Sequence, residues 1–161
     1  MITEYTRKNL ASILKVINDA ALKYKGVIPN DCWHDPYMLG QELINEFDNG
    51  VRMFGYDKNN ILVGVMGIQE LKDVTLIRHA YTLSDCQGIG VGKSLLQYLL
   101  KINRGSSLLV GTWKDATWAI RFYMKNDFVL HTRKQTNILL ERYWQVTIKQ
   151  MQNSVVLEKI S

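Results

Sequence analysis

Residues 86–96 read Cys-Gln-Gly-Ile-Gly-Val-Gly-Lys-Ser-Leu-Leu, with glycines at 88, 90 and 92 between a strand-like run and an apolar helical run. Glycine allows tight, left-handed bends and close approach of backbone to a ligand. A bend of this kind running into a helix presents free N–H groups and the positive end of the helix dipole, which together hold a phosphate. Three phosphate cradles are compared. A P-loop ends in Gly-Lys-Ser/Thr, which Gly92-Lys93-Ser94 supplies, but Gln87 occupies the place of its leading glycine. A dinucleotide fingerprint needs G-x-G-x-x-G, whereas the spacing here is G-x-G-x-G. The third pattern, Gln/Arg-x-x-Gly-x-Gly/Ala, is met by Gln87, Gly90 and Gly92. A glycine turn that only caps a helix is the bland alternative.

The elements that must position this loop follow from periodicity. Residues 2–5 read as a short strand, and Leu10, Ile13, Leu14, Ile17 and Ala21 recur at helical spacing over 9–24, with Asn9 as cap. Asp35-Pro36 predicts a second helix start, with Asp35 capping, and Leu39, Leu43, Ile44 and Phe47 continue it to Asp48-Asn49-Gly50. Strands are expected at 51–56 and 61–68 around the Asp57–Asn60 turn, then at 74–83. After the glycine loop come a helix with Leu95, Leu96, Leu99, Leu100 and Ile102, a buried strand at 107–112, a helix at 115–126, a strand at 128–130, a helix at 134–144 and a last strand at 153–159. No repeat or linker interrupts the order, so residues 1–161 are expected to form one domain.

A second motif narrows the choice of cradle. Ala119-Ile-Arg-Phe122-Tyr123-Met-Lys-Asn-Asp127-Phe128 lies one strand and one helix after the glycine loop. It resembles the Ala-x-x-Phe-Tyr-x-x-x-Gly-Phe element of the GNAT superfamily, the acyl-CoA-dependent N-acetyltransferases, whose pyrophosphate loop has the third pattern above. The order of elements is similar too, so the resemblance covers nearly the whole chain. Three positions depart from it. Asp127 stands where glycine is usual, at a site expected to need a left-handed helix end. Ala116 replaces a common asparagine, and the usual proline before Gln87 is absent.

The resemblance implies an α/β fold of the α+β type. Its central sheet is mixed, mainly antiparallel and flanked by helices, and it splays between the strands at 74–83 and 107–112. It implies direct transfer of an acetyl group from acetyl-CoA to a primary amine; the alternative is a non-catalytic acyl-CoA-binding regulator of the same fold. Gln87, Gly88, Ile89, Gly90, Val91, Gly92, Lys93 and Ser94 would grip the CoA pyrophosphate. Ala80, Tyr81, Thr82 and Leu83 would pair with the pantetheine arm, an amide near 81–83 would face the thioester oxygen, and Phe122 would contact the cofactor. Tyr123 would protonate the leaving thiolate, since a phenol with a pKa of about 10 matches a thiol in acidity.

For the base, His79 is placed two residues before Tyr81, on one strand face, and has a reference pKa of about 6.5. Glu70 is a second candidate and a water relay a third. Arg78 is expected on the opposite face from His79, in an ion pair, with binding of a substrate carboxylate as the functional alternative. The loop 26–37 carries Asp31, Cys32, Trp33, His34, Asp35 and Tyr37 and would roof the acceptor site; Cys32, His34 and Asp35 lack a second ligand cluster, so no metal is expected.

Composition bounds the partners. Hydrophobic residues at 47% and charged ones at 22% suit a globular domain, and no apolar run approaches a membrane span. The +5 charge is scattered, without the basic stripe of a nucleic-acid binder. Two cysteines and no signal-peptide pattern at 1–5 point to reduced thiols in the cytoplasm. The expected partners are a small-molecule or peptide amine and, because dimers are common in the superfamily, a second copy of the chain.

Overall fold

The computed structural model describes residues 1–104 and 107–160. Two compact units form, one from Met1–Lys23 with His34–Ser106, the other from Tyr24–Trp33 with Ser107–Ser161.

The first unit is an antiparallel meander of β1 (Ile2–Tyr5), β2 (Val51–Lys58), β3 (Ile61–Glu70) and β4 (Val74–Thr82). Asn59 and Asn60 turn β2 into β3 with φ of 53° and 63°, the left-handed pair that a two-residue hairpin loop requires. Alternate residues of the strands face opposite layers. Val51, Met53 and Val65 pack with Ile13, Val16 and Ile17 of α1 (Leu10–Ala20) and Leu43 of α2 (Gly40–Asp48). On the other face lies α3 (Val91–Ile102), with Leu95, Leu96 and Leu99 fully buried and the Tyr98 ring 5.3 Å from Phe54. Truncating one of these leucines to alanine is expected to cost about 2–5 kcal/mol.

Two helix starts differ from expectation. Asn9 does not cap α1; its Oδ1 accepts the Thr6 N–H at 3.0 Å, while the Thr6 hydroxyl accepts from Lys8 N–H. This reciprocal box makes a 3-10 turn at Arg7–Asn9 that leads into the helix. The second helix begins at Gly40 rather than at Pro36. The Asn18 side chain on α1 takes both backbone groups of Met38, accepting its N–H at 2.8 Å and donating to its carbonyl at 3.0 Å. Met38 is thereby held out of helical hydrogen bonding, and Glu42 Oε1 caps the helix from inside by accepting the Leu39 N–H at 3.2 Å.

The second unit comprises β5 (Ser107–Trp113), α4 (Thr117–Lys125), β6 (Phe128–Leu130), α5 (Arg133–Tyr143), α6 (Ile148–Gln152) and β7 (Ser154–Lys159). β7 pairs antiparallel with both β5 and β6. Its core joins Leu108–Val110, Tyr123, Phe128, Leu139, Leu140, Val156 and Leu157. The helix α6 was not expected. Thr147 and Gln150 form a capping box at its start, the hydroxyl accepting the Gln150 N–H and the amide oxygen accepting the Thr147 N–H. Asp127 has φ of 67°, the left-handed conformation expected of a position where glycine is usual.

Candidate functional site

The glycine loop is open and helix-terminated. Gly88 and Gly90 have φ of 77° and 91°, which L side chains rarely adopt, and a Cβ built on either would meet nothing within 4 Å. Gly90 is the left-handed cap of α3, and the first helical bond is Ser94 N–H to the Gly90 carbonyl at 3.0 Å. The amides of Val91, Gly92 and Lys93 therefore have no intrahelical acceptor. No acidic residue stands in the first turn of α3, so the positive end of its dipole is uncompensated locally. Gln87, Ile89 and Lys93 are exposed and Ser94 is half-buried, so no side chain fills the bend. These residues fit a diphosphate.

Firm packing holds the loop from below. Val91 is buried at 3% exposure, and a Cβ on Gly64 of β3 would stand 2.5 Å from its Cγ1. Val91 thus occupies space that only a glycine in β3 leaves. At the end of β4, the Asp19 carboxylate of α1 accepts both the Ser84 N–H at 2.8 Å and the Ser84 hydroxyl at 3.0 Å. Cys86, half-buried, donates its N–H to the Leu83 carbonyl at 2.8 Å.

The residues Ala80–Leu83 are all half-buried. Tyr81 lies opposite Val65, Thr82 opposite Gly64, and the Leu83 N–H donates to the Val63 carbonyl at 2.8 Å. Antiparallel ladders alternate bonded and non-bonded pairs. The Tyr81 and Leu83 amides therefore point to β3, and those of Ala80 and Thr82 point away. The Gln87 side chain already reaches the outward Thr82 carbonyl, donating at 3.2 Å.

His79 interrupts the alternation. The register slips between Val65 and Gly67, and His79 sits at this bulge with φ of 55°. Arg78 and His79 were expected on opposite faces; the bulge instead turns both toward one carboxylate. Glu46 Oε2 on α2 lies 2.6 Å from His79 Nε2 and 3.0 Å from Arg78 Nη2, while Arg78 Nη1 donates to Gln69 Oε1 at 3.0 Å. The expected ion pair of Arg78 is this one. Burial alone would raise the Glu46 pKa, but the hydrogen bond from His79 and the charges of His79 and Arg78 outweigh it and hold the carboxyl below its usual range. Glu46 was not singled out from sequence, although a signal existed: it falls three residues after Leu43, on the helix stripe that faces the core. Glu70 ends β3 opposite Thr75, exposed, and its nearest charged partner is Arg52 at 3.7 Å.

Tyr123 is buried on α4 at 4% exposure, its ring meeting the edges of Phe122 and Phe128 with centroids at 5.1 and 5.2 Å. Burial, reinforced by Tyr24, pushes the phenol well above its ordinary pKa, which makes it a weaker proton donor than a free tyrosine. Phe122 is half-buried, and its carbonyl accepts from the Asn126 side chain at 2.8 Å. Ala116 is fully buried as the α4 cap and supplies no side-chain bond there. In the loop 26–37, Asp31 pairs with Lys149 at 2.7 Å, and His34 and Asp35 are exposed. Among the described residues no cluster of three or more His, Cys, Asp or Glu side chains could hold a metal ion, and no helix is long and apolar enough to cross a membrane.

Solved structures share this mixed α/β fold over nearly their whole length. An N-acetyltransferase, PaiA, from Thermoplasma acidophilum, in complex with coenzyme A, superposes with a TM-score of 0.76 at 16% identity, covering 100% of this chain and 98% of that one. An acetyltransferase of the GNAT family from Staphylococcus aureus Mu50 gives 0.74 at 16% identity, with 99% and 97% covered. The ribosomal-protein-S18-alanine N-acetyltransferase from Escherichia coli gives 0.71 at 16% identity, with 99% and 92% covered. No curated protein sequence matches significantly. A family model described as an acetyltransferase (GNAT) domain matches residues 6–138, and the chain belongs to the GNAT acetyltransferase family.

Proposed function

We propose that this chain is an N-acetyltransferase that moves the acetyl group of acetyl-CoA directly to a primary amine. The observation that carries the reading is the bend at 88–94, where two left-handed glycines and the unpaired first amides of α3 make an open anion cradle. Membership of the acetyltransferase family supports coenzyme A as the anion, and the relative solved with coenzyme A has the same fold. Lys93 and Ser94 add a cation and a hydroxyl at the same helix start. The outward amides of Ala80 and Thr82 are the groups of β4 that remain for the pantetheine arm and the thioester oxygen.

In the reaction, the amine nitrogen attacks the thioester carbonyl, the C–N bond forms and the C–S bond breaks. One proton leaves the nitrogen and one reaches the sulfur. Tyr123 is the donor to the thiolate in this reading, although its burial raises the phenol and makes it a weaker acid than a free tyrosine. The acceptor is a small molecule or a peptide amine, the compartment the cytoplasm, and the active species a homodimer, which sedimentation tests.

Thiol release from acetyl-CoA across a panel of polyamines, amino acids, aminoglycosides and peptides tests the reading. Turnover with at least one amine is expected, and Tyr123→Phe is expected to slow it about 10–100-fold with coenzyme A affinity unchanged. The 4% exposure of Tyr123 favours one competing reading, a coenzyme A-binding regulator without turnover. Tight coenzyme A binding with no productive amine would establish that reading instead.

A further inference from the structure

The outer edge of β6 is set up to pair with itself. β7 lies on one side of β6, and among the described residues no strand covers the other side. The register puts Phe128, Val129 and Leu130 opposite Lys159, Glu158 and Leu157. Just beyond the two ends, the Ile160 N–H donates to the Asp127 carbonyl and the His131 N–H to the Val156 carbonyl, both at 3.0 Å. Bonded and non-bonded pairs alternate in an antiparallel ladder, so the backbone groups of 127, 129 and 131 face β7. The N–H and C=O groups of Phe128 and Leu130 therefore point outward, away from β7.

Free edges are commonly blunted by shortness, lysine, proline or a bulge. β6 is short, but its residues are Phe-Val-Leu and it pairs with β7 without a register shift. Val129 and Leu130 are 45% and 40% exposed, and Ile160, which bonds to Asp127, is exposed as well. The edge thus offers unpaired amides and apolar side chains together.

The occupant that fits is the same strand. With a two-fold axis at Val129, Phe128 of one copy lies opposite Leu130 of the other, and each such pair exchanges two N–H···O bonds. All four outward donors and all four outward acceptors of the two copies are then used. An axis at Phe128 or at Leu130 would leave half of them unpaired. The same register sets Asp127 opposite His131 of the second copy at both ends, an acid across from an imidazole. Val129 meets its own counterpart on the axis.

We propose that two copies of the chain form a two-fold dimer through antiparallel pairing of β6 with β6, centred on Val129. The inference rests on the homodimer in the reading above, not on its acetyl transfer.

Sedimentation velocity of the full chain reads the result, with the wild type expected at twice the chain mass. Leu130→Pro removes one outward donor from each copy and leaves the ladder with β7 intact. It is expected to fold and to weaken the dimer about 10–100-fold. Val129→Lys is also expected to fold, because Glu158 lies opposite it in the same copy, yet it sets two ammonium groups against each other across the axis. It is expected to weaken the dimer at least about 10-fold. Leu130→Thr keeps the amide and a strand-favouring side chain, and its dimer is expected to stay within about threefold of the wild type. Hydrogen exchange needs no variant: in the dimer the Phe128 and Leu130 amides are expected to exchange slowly, although their own chain offers them no acceptor. A wild-type monomer, which leaves the edge to a strand of another protein, overturns the proposal. So does a dimer that Leu130→Pro leaves unweakened, or fast exchange at both amides in the dimer. In those last two cases the homodimer stands on another surface, and thiol release from acetyl-CoA tests the transfer separately.

Discussion

Glu46 shows how one partly buried carboxylate organises two neighbours. Its folded pKa is held below the usual glutamate value by His79 and Arg78 despite desolvation. A depressed carboxylate contributes stability that is present above its unfolded pKa, about 4.3, and is lost as pH falls through the folded value. Thermal melts should therefore show the wild type more stable than Glu46→Gln at pH 6, with the difference shrinking below pH 4; a difference independent of pH contradicts this assignment. Asp127 is the other informative residue. At φ of 67° it carries the strain of a left-handed side chain, and its carbonyl also accepts the Ile160 N–H at 3.0 Å. Asp127→Val is expected to destabilise by about 1–2 kcal/mol in urea titration, whereas Asp127→Gly is expected to be neutral or stabilising. The left-handed state of Asp127 was legible because the motif around it reserves the place for glycine. The Glu46–His79 contact was not, because residues 33 apart meet only once α2 has docked.

Among the elements, the strands were legible to within two residues, since alternation marks them directly, although Asp57 and Lys58, expected in the turn, belong to β2. What escaped was set by tertiary contacts or by local irregularity. Asn18 on α1 claims the Met38 backbone and postpones α2 to Gly40, which no pattern near Asp35-Pro36 announces. The bulge at His79 breaks the period of two on which the face assignment of Arg78 and His79 depended. By contrast, α6 could have been read from Thr147-Ile-Lys-Gln150, a capping-box spacing. The cradle depends on how α3 seats against β3. A Cβ at Gly64 would stand 2.5 Å from Val91 Cγ1 and 3.2 Å from Leu95 Cδ1, so the side chains that seat α3 must shift to admit it. Gly64→Ala is expected to cost about 1–3 kcal/mol and to weaken coenzyme A binding together with stability. Full stability with full binding would show that the seat of α3 on β3 does not position the loop.

At the scale of the molecule, family membership and the two motifs agree: the loop at 87–94 and the Ala119–Phe128 element both fall within the matched residues 6–138. The net charge of +5 favours approach of a polyanion without choosing its site. The choice of site rests on backbone amides, and these recognise a diphosphate rather than the organic arm beyond it. The most direct measurement is a pair of calorimetric titrations, coenzyme A and pantetheine, into the wild-type chain. The account predicts saturable binding of coenzyme A and at least about 10-fold weaker binding of pantetheine, which lacks the diphosphate and the adenosine moiety. No heat with coenzyme A, or equal affinity for the two, contradicts it.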